Sequence, residues 1–235
     1  MGDAPQPLAL ALYLCRTLEQ TVMRVFILGT GRNGSSTIIK ACQHITNFTS
    51  SHESRTKRLG TERLAYPDQH IEADNRLSWH IGELDRLYGK EAFYVYLKRE
   101  RKKVAESSMR RFYQPISIID SYCGGIKMIP PEKLNREERL QACYDYVDTV
   151  NANIELFLKD KPHQAVVNLE SIAEDFEQLW ERIGAQGDVS AALAEFKHAY
   201  NASVKRRPLN LLYRLKLLVV RTVRHWAMVL GIGQR

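Results

Sequence analysis

Residues 24–42, RVFILGTGRNGSSTIIKAC, constrain the fold more than any other stretch, because an apolar run, a glycine-rich turn and a helical pattern follow one another without a break. Val25, Phe26, Ile27 and Leu28 read as a buried strand, and from Ser35 onward Ile38, Ile39 and Cys42 recur at helical spacing. A strand leading through a tight loop into a helix can cradle a phosphate. Gly29, Gly31 and Gly34 let the backbone approach a ligand closely, and the helix start turns its N–H groups and positive dipole end towards an anion. Ser35, Ser36 and Thr37 add hydroxyl donors there.

Gly29 to Gly34 has the spacing of the ATP-binding loop GxxxxGK[ST], but Ser35 stands where that loop carries its lysine. No strand ends in the apolar-apolar-Asp pattern that holds magnesium, so an ordinary ATPase or kinase is disfavoured. The cation lies inside the loop instead, at Arg32. About 70 residues on, a strand of strongly β composition, Ala92 to Leu97, runs into KRERKKVAESSMRR at 98–111. On charge alone that run is a solvated helix start. Its spacing says more: Arg99 at a strand's carboxyl end and Ser107 on the next helix can converge on one phosphate, with the guanidinium fork giving paired hydrogen bonds.

These two elements together carry a resemblance. Thr30-Gly31-Arg32-Asn33-Gly34-Ser35-Ser36-Thr37 resembles the 5′-phosphosulfate loop of sulfotransferases, and Arg99, Val104, Ala105 and Ser107 match the spacing of that family's second donor-binding element. The resemblance covers roughly 24–207. Gln164 to Glu170, followed by an acidic helical pattern, is similar to the family's later strand and helix, and Tyr200-Asn201-Ala202-Ser203 to its Asn-Ala-Ser stretch. The resemblance implies an α/β, P-loop-like sulfotransferase fold, a parallel β-sheet flanked by helices, over 1–207, with a C-terminal basic amphipathic helix over 208–235. It further implies 3′-phosphoadenosine 5′-phosphosulfate (PAPS) as donor, with no metal. Arg32 and the residues Thr30 to Thr37 would hold the sulfuryl group and the 5′-phosphate. Arg99 and Ser107 would hold the 3′-phosphate, and Lys205 and Arg206 would close over it; on charge pattern alone those two cations fit a solvated linker equally well.

The resemblance also calls for a base to take the acceptor's proton. Cytosolic members of the family use a histidine after the second strand, and several carbohydrate-modifying members use a glutamate. Glu53 is the first candidate and His52 the second, because the polar stretch 46–67 reads as a loop, or loop plus helix, overhanging the donor; Asp74, at a strand end, is the third. A carboxylate in that role needs tuning by its surroundings to act near neutral pH.

The rest of the chain sets bounds. Its 235 residues, 44% hydrophobic and 26% charged, suffice for one α/β domain with a full core. Four scattered cysteines, Cys15, Cys42, Cys123 and Cys143, have neither CxxC nor zinc spacing, which favours reduced thiols and a cytoplasmic setting. The net charge of +7 is concentrated: positions 201–235 carry eight basic residues and no acidic one, leaving the remainder at about −1. A nucleic-acid-binding surface is therefore not expected. In the tail, Asn210, Arg214, Arg221 and His225 share one helical sector and apolar residues fill most of the rest, so packing on the domain, a homo-oligomer contact and peripheral contact with an anionic membrane are the candidate covers. The apolar segment Leu8 to Leu14 is too short to span a membrane and reads as a helix packed on the domain. The acceptor is not legible beyond a hydroxyl or amine, with a mild preference for carbohydrate or glycolipid. Competing readings are a nucleotide kinase or NTPase with a degenerate loop, and a non-catalytic, membrane-associated nucleotide-binding protein.

Overall fold

A strand that is apolar at consecutive positions must be covered on both faces. Strands β1 (Arg24–Leu28) and β4 (Phe93–Lys98) are such strands, and they pair at the middle of a five-stranded sheet. The computed structural model describes residues 23–112, 114, 117–198 and the single positions 219 and 222. The N-terminal apolar segment, Lys205, Arg206 and the 208–235 helix read from the sequence lie outside the described residues, positions 219 and 222 apart. With β2 (Thr49–His52), β3 (His70–Ala73) and β5 (Gln164–Asn168), the sheet order is β2-β3-β1-β4-β5, and every pairing is parallel. The helices are α1 (Ser35–Cys42), α2 (Ile81–Tyr88), α3 (Arg101–Met109), α4 (Ile118–Ser121), α5 (Arg136–Leu158), α6 (Ile172–Arg182) and α7 (Val189–Ala194).

Alternate strand residues serve two cores. Phe26, Leu28, Tyr94 and Tyr96 pack against Leu84 of α2, Val104 of α3 and Tyr146, Val147 and Ile154 of α5. Val25, Ile27, Phe93, Val95 and Leu97 face the other way, onto Ile38 of α1, Phe176 and Leu179 of α6 and Ala192 of α7. Helix α5 is started firmly by a reciprocal cap, in which Asn135 accepts from the Glu138 amide at 3.0 Å and Glu138 accepts from the Asn135 amide at 2.7 Å.

The stretch 46–67, expected as a loop, contains strand β2. Its Thr-Ser-Ser-His sequence has no apolar alternation because β2 is an edge strand held by main-chain pairing, from Thr49 opposite His70 to His52 opposite Ala73. After β3 come a 3-10 segment, Asn75–Trp79, and then α2; the Asp74 carboxylate caps the first by accepting from the Arg76 amide at 2.8 Å. Between α3 and α5 lie α4 and a π-helical turn at Tyr122–Ile126.

From β1 the chain moves out to β2, returns through β3, then crosses to β4 and β5. The carboxyl end of β1 is thus the topological switch point, where open α/β sheets bind ligands. The loop 29–34, Glu53, Asp74 to Arg76 and Arg99 follow four different strands at this one end of the sheet.

Candidate functional site

The loop after β1 is held in a fixed shape. Gly34 has φ 97°, in the left-handed region that favours glycine, and a Cβ there would lie 2.6 Å from Leu169 Cδ1, so a larger residue would also have to displace that side chain. Arg32 also takes a left-handed φ of 70°, which stores strain at the middle of the loop. Asn33, buried, donates from Nδ2 to the Leu97 carbonyl at 3.0 Å and ties the loop to the end of β4. The α1 ladder begins where Thr37 and Ile38 donate to the Gly34 carbonyl at 2.9 and 3.1 Å, which leaves the Ser35 and Ser36 amides in the first turn ahead of it.

The two sequence elements meet at Arg32. Its Nε donates to Ser107 Oγ at 3.1 Å, and Arg99 donates from an Nη to the Arg32 carbonyl at 2.7 Å. Burial, and then the guanidiniums of Arg111, Arg110 and Arg99, hold the Arg32 guanidinium below its usual range. Arg99 Nε is buried with no hydrogen-bond partner among the described residues, as are Asn33 Oδ1 and Asn75 Oδ1. Three of the buried polar atoms that lack a hydrogen-bond partner among the described residues thus belong to this loop and the strand ends beside it, the kind of atom a polar ligand can satisfy. Arg32, Arg99, Ser107 and the α1 terminus therefore fit a bisanionic nucleotide. Among the described residues no group of three or more His, Cys, Asp or Glu side chains gathers as a metal site.

The candidate bases are separated by their surroundings. His52, the last residue of β2, has Nε2 2.9 Å from Ser35 Oγ and 3.5 Å from Ser36 Oγ, so it lies over the start of α1. Glu53, with φ 53°, accepts from Asn75 Nδ2 on Oε1 at 2.8 Å and is ion-paired with an Arg76 Nη at 3.1 Å, and its side chain is 32% exposed. Asp74 is fully buried: Arg63 at 2.6 Å and Thr56 at 3.0 Å donate to Oδ2, and the Arg76 amide donates to Oδ1. Both Asp74 oxygens are occupied, which suits an anchoring anion; Glu53 retains solvent access.

Sequence reading did not single out Tyr146 as part of this site. Its hydroxyl accepts from the Gly31 amide at 3.0 Å, across 115 residues, and burial pushes its phenol up to about 12. Helical spacing along α5 cannot show that Tyr146 ends on a loop 115 residues away. Tyr146→Phe leaves the buried Gly31 N–H without its partner and is expected to cost about 1–3 kcal/mol, read as a lower urea midpoint at unchanged m-value.

No protein-family model and no curated protein sequence matches the chain. Among solved structures, mouse sulfotransferase SULT7A1 complexed with PAP superposes with a TM-score of 0.53 at 9% identity, over 74% of this chain and 63% of that one. The fold is the sulfotransferase fold. At that identity the likeness establishes the fold alone, and the chain spans 63% of the length of that structure.

Proposed function

We propose that this chain is a sulfotransferase that moves a sulfuryl group from PAPS to a hydroxyl or amine acceptor. The observation that carries this reading is the junction of Arg32, Arg99 and Ser107 at the β1 switch point, with Arg99 Nε beside it buried and without a hydrogen-bond partner among the described residues. The donor, when bound, supplies an activated sulfuryl group on a phosphate leaving group. Arg32 and the amides at the start of α1 stabilise negative charge spreading over the sulfuryl and 5′-phosphate oxygens; Arg99 and Ser107 fix the 3′-phosphate. Ser35, Ser36 and Thr37 orient the same oxygens. Lys205 and Arg206 are assigned to the 3′-phosphate from sequence.

Glu53 is the general base in this reading. As the acceptor oxygen bonds to sulfur, its proton passes to the Glu53 carboxylate, and the electrons of the broken sulfur–oxygen bond stay on the donor's 5′-phosphate. Asn75 and Arg76 hold that carboxylate in place, and His52 orients the loop hydroxyls. A carbohydrate or glycolipid acceptor, with peripheral membrane contact through the basic tail, completes the proposal; no helix among the described residues is long and apolar enough to cross a membrane.

The test is calorimetric titration of adenosine 3′,5′-bisphosphate. Binding at micromolar affinity is expected, and Arg99→Ala should weaken it by about ten- to a hundredfold, the range for charge-assisted hydrogen bonds. An Arg99→Ala protein that binds as tightly as wild type would remove Arg99 from the site.

A further inference from the structure

When a sulfur–oxygen bond breaks, the oxygen left on the donor's phosphate gains negative charge, and a proton delivered there stabilises it. Arg32 can attract that oxygen but cannot protonate it, because a guanidinium keeps its proton near neutral pH. Lys40, the ammonium of α1, stands in the helix's last turn and donates to Gln43 at 3.3 Å. Tyr146 ends on the loop, but burial pushes its phenol up to about 12, which makes it a poor proton source. Imidazole is the side chain that exchanges a proton near neutrality, and His52 brings one to the start of α1.

The register of β2 puts it there. His52 lies opposite Ala73, so its side chain shares the sheet face that carries Ile71 and Ala73 onto α1. Its Nε2 comes to 2.9 Å from Ser35 Oγ and 3.5 Å from Ser36 Oγ, both in the first turn of α1. Among the described residues the polar partners of Nε2 are these hydroxyls and not a carboxylate. On β3, Glu72 and Asp74 take the opposite face, where Ser54 and His70 hold the first and Thr56 and Arg63 the second. On α1 the titratable groups are Lys40 and the buried Cys42 thiol, pushed up to about 12. The loop brings Arg32. Glu53, the next residue, turns away at φ 53° and its carboxylate pairs with Arg76. A phosphate at the Ser35 and Ser36 hydroxyls is therefore the anion that would favour the charged imidazole.

We propose that the donor's 5′-phosphate binds together with a proton carried by His52, and that Ser35 passes this proton to the leaving oxygen. This deepens the sulfotransferase reading and rests on it. The imidazolium Nε2–H donates to Ser35 Oγ, and the Ser35 O–H donates to the oxygen that bridges sulfur and phosphorus. As the acceptor atom bonds to sulfur, the electron pair of the breaking sulfur–oxygen bond stays on that bridging oxygen. The oxygen takes the Ser35 proton, and His52 replaces it. Glu53 takes the acceptor's proton, so two adjacent residues divide the reaction: His52 serves the leaving side and Glu53 the attacking side. Glu53 then loses a proton to water and His52 regains one before the next turnover.

The test counts protons. Adenosine 3′,5′-bisphosphate, the donor without its sulfuryl group, is titrated into the full chain by calorimetry at about pH 7.5, above the second ionisation of a phosphate ester, in buffers of different ionisation enthalpy. Binding should take up about half a proton, and affinity should weaken about threefold or more between pH 7 and 8.5. Adenosine 3′-phosphate, which lacks the 5′-phosphate, should bind without that uptake. His52→Gln keeps a hydrogen-bonding side chain but no titratable one; the uptake should vanish and the affinity should vary less than about twofold over the same range. Urea unfolding at the wild-type midpoint shows that this variant is folded; if it is not, the wild-type proton count and the 3′-phosphate arm still decide. No uptake in the wild type, uptake that survives His52→Gln, or equal uptake with the 3′-phosphate would each overturn the proposal. A wild-type chain that does not bind the bisphosphate at any pH would instead overturn the donor reading beneath it.

Discussion

Glu53→Gln is expected to lower turnover by about 10²–10⁴-fold, the usual contribution of a positioned proton acceptor. Glutamine preserves the length of the side chain, but the amide cannot take up the acceptor's proton at neutral pH. Bisphosphate affinity should stay within about threefold and the urea midpoint should hold, because Glu53 is partly exposed and its contacts to Asn75 and Arg76 lie on the rim of the sheet. The measurement is release of adenosine 3′,5′-bisphosphate from labelled donor in the presence of any acceptor that turns over. His52→Ala is the control, since His52 contacts the loop hydroxyls and its loss should act through donor orientation. Undiminished turnover in Glu53→Gln would move the base elsewhere.

Asp74→Ala should instead act on stability, by about 3–5 kcal/mol, because it strands Arg63 as a buried cation. The Arg63 and Asp74 side chains are 8% and 0% exposed, and Arg63 also donates to the Tyr66 hydroxyl at 2.9 Å. Thr56 and the Arg76 amide lose their acceptor in the same step, so the segment after β2 and the 3-10 turn after β3 are released together. Replacing both partners by apolar residues of similar volume, Arg63→Met with Asp74→Leu, should recover part of the loss. Urea unfolding reads both effects. If Asp74→Ala unfolded at the wild-type midpoint yet lost turnover, Asp74 would be the base and its ion pair incidental.

The parts of this fold that were legible in the sequence are those whose signal is local. Val25 to Leu28 and Phe93 to Leu97 announce buried parallel strands by continuous apolar character, and Ile172, Phe176 and Leu179 announce α6 by their spacing. The loop could be read because left-handed backbone at Gly34 and close approach at Gly29 demand glycine. Strand β2 was hidden because Thr49 to His52 is specified by main-chain pairing to β3, which leaves no pattern in its own side chains. The same limit applies to the site. Arg32, Arg99 and Ser107 could be singled out because their spacing matches a family pattern, and the structure brings them together; Tyr146 on Gly31 and Arg63 on Asp74 are contacts that folding creates and periodicity does not encode.

The most direct measurement is a calorimetric comparison of adenosine 3′,5′-bisphosphate, adenosine 5′-phosphate and ATP, with and without magnesium. A donor site built on Arg32, Arg99 and Ser107 predicts that the bisphosphate binds at least about tenfold more tightly than the 5′-phosphate, and equally well in a chelator. A preference for ATP that needs magnesium, or no binding of any of the three, would contradict it.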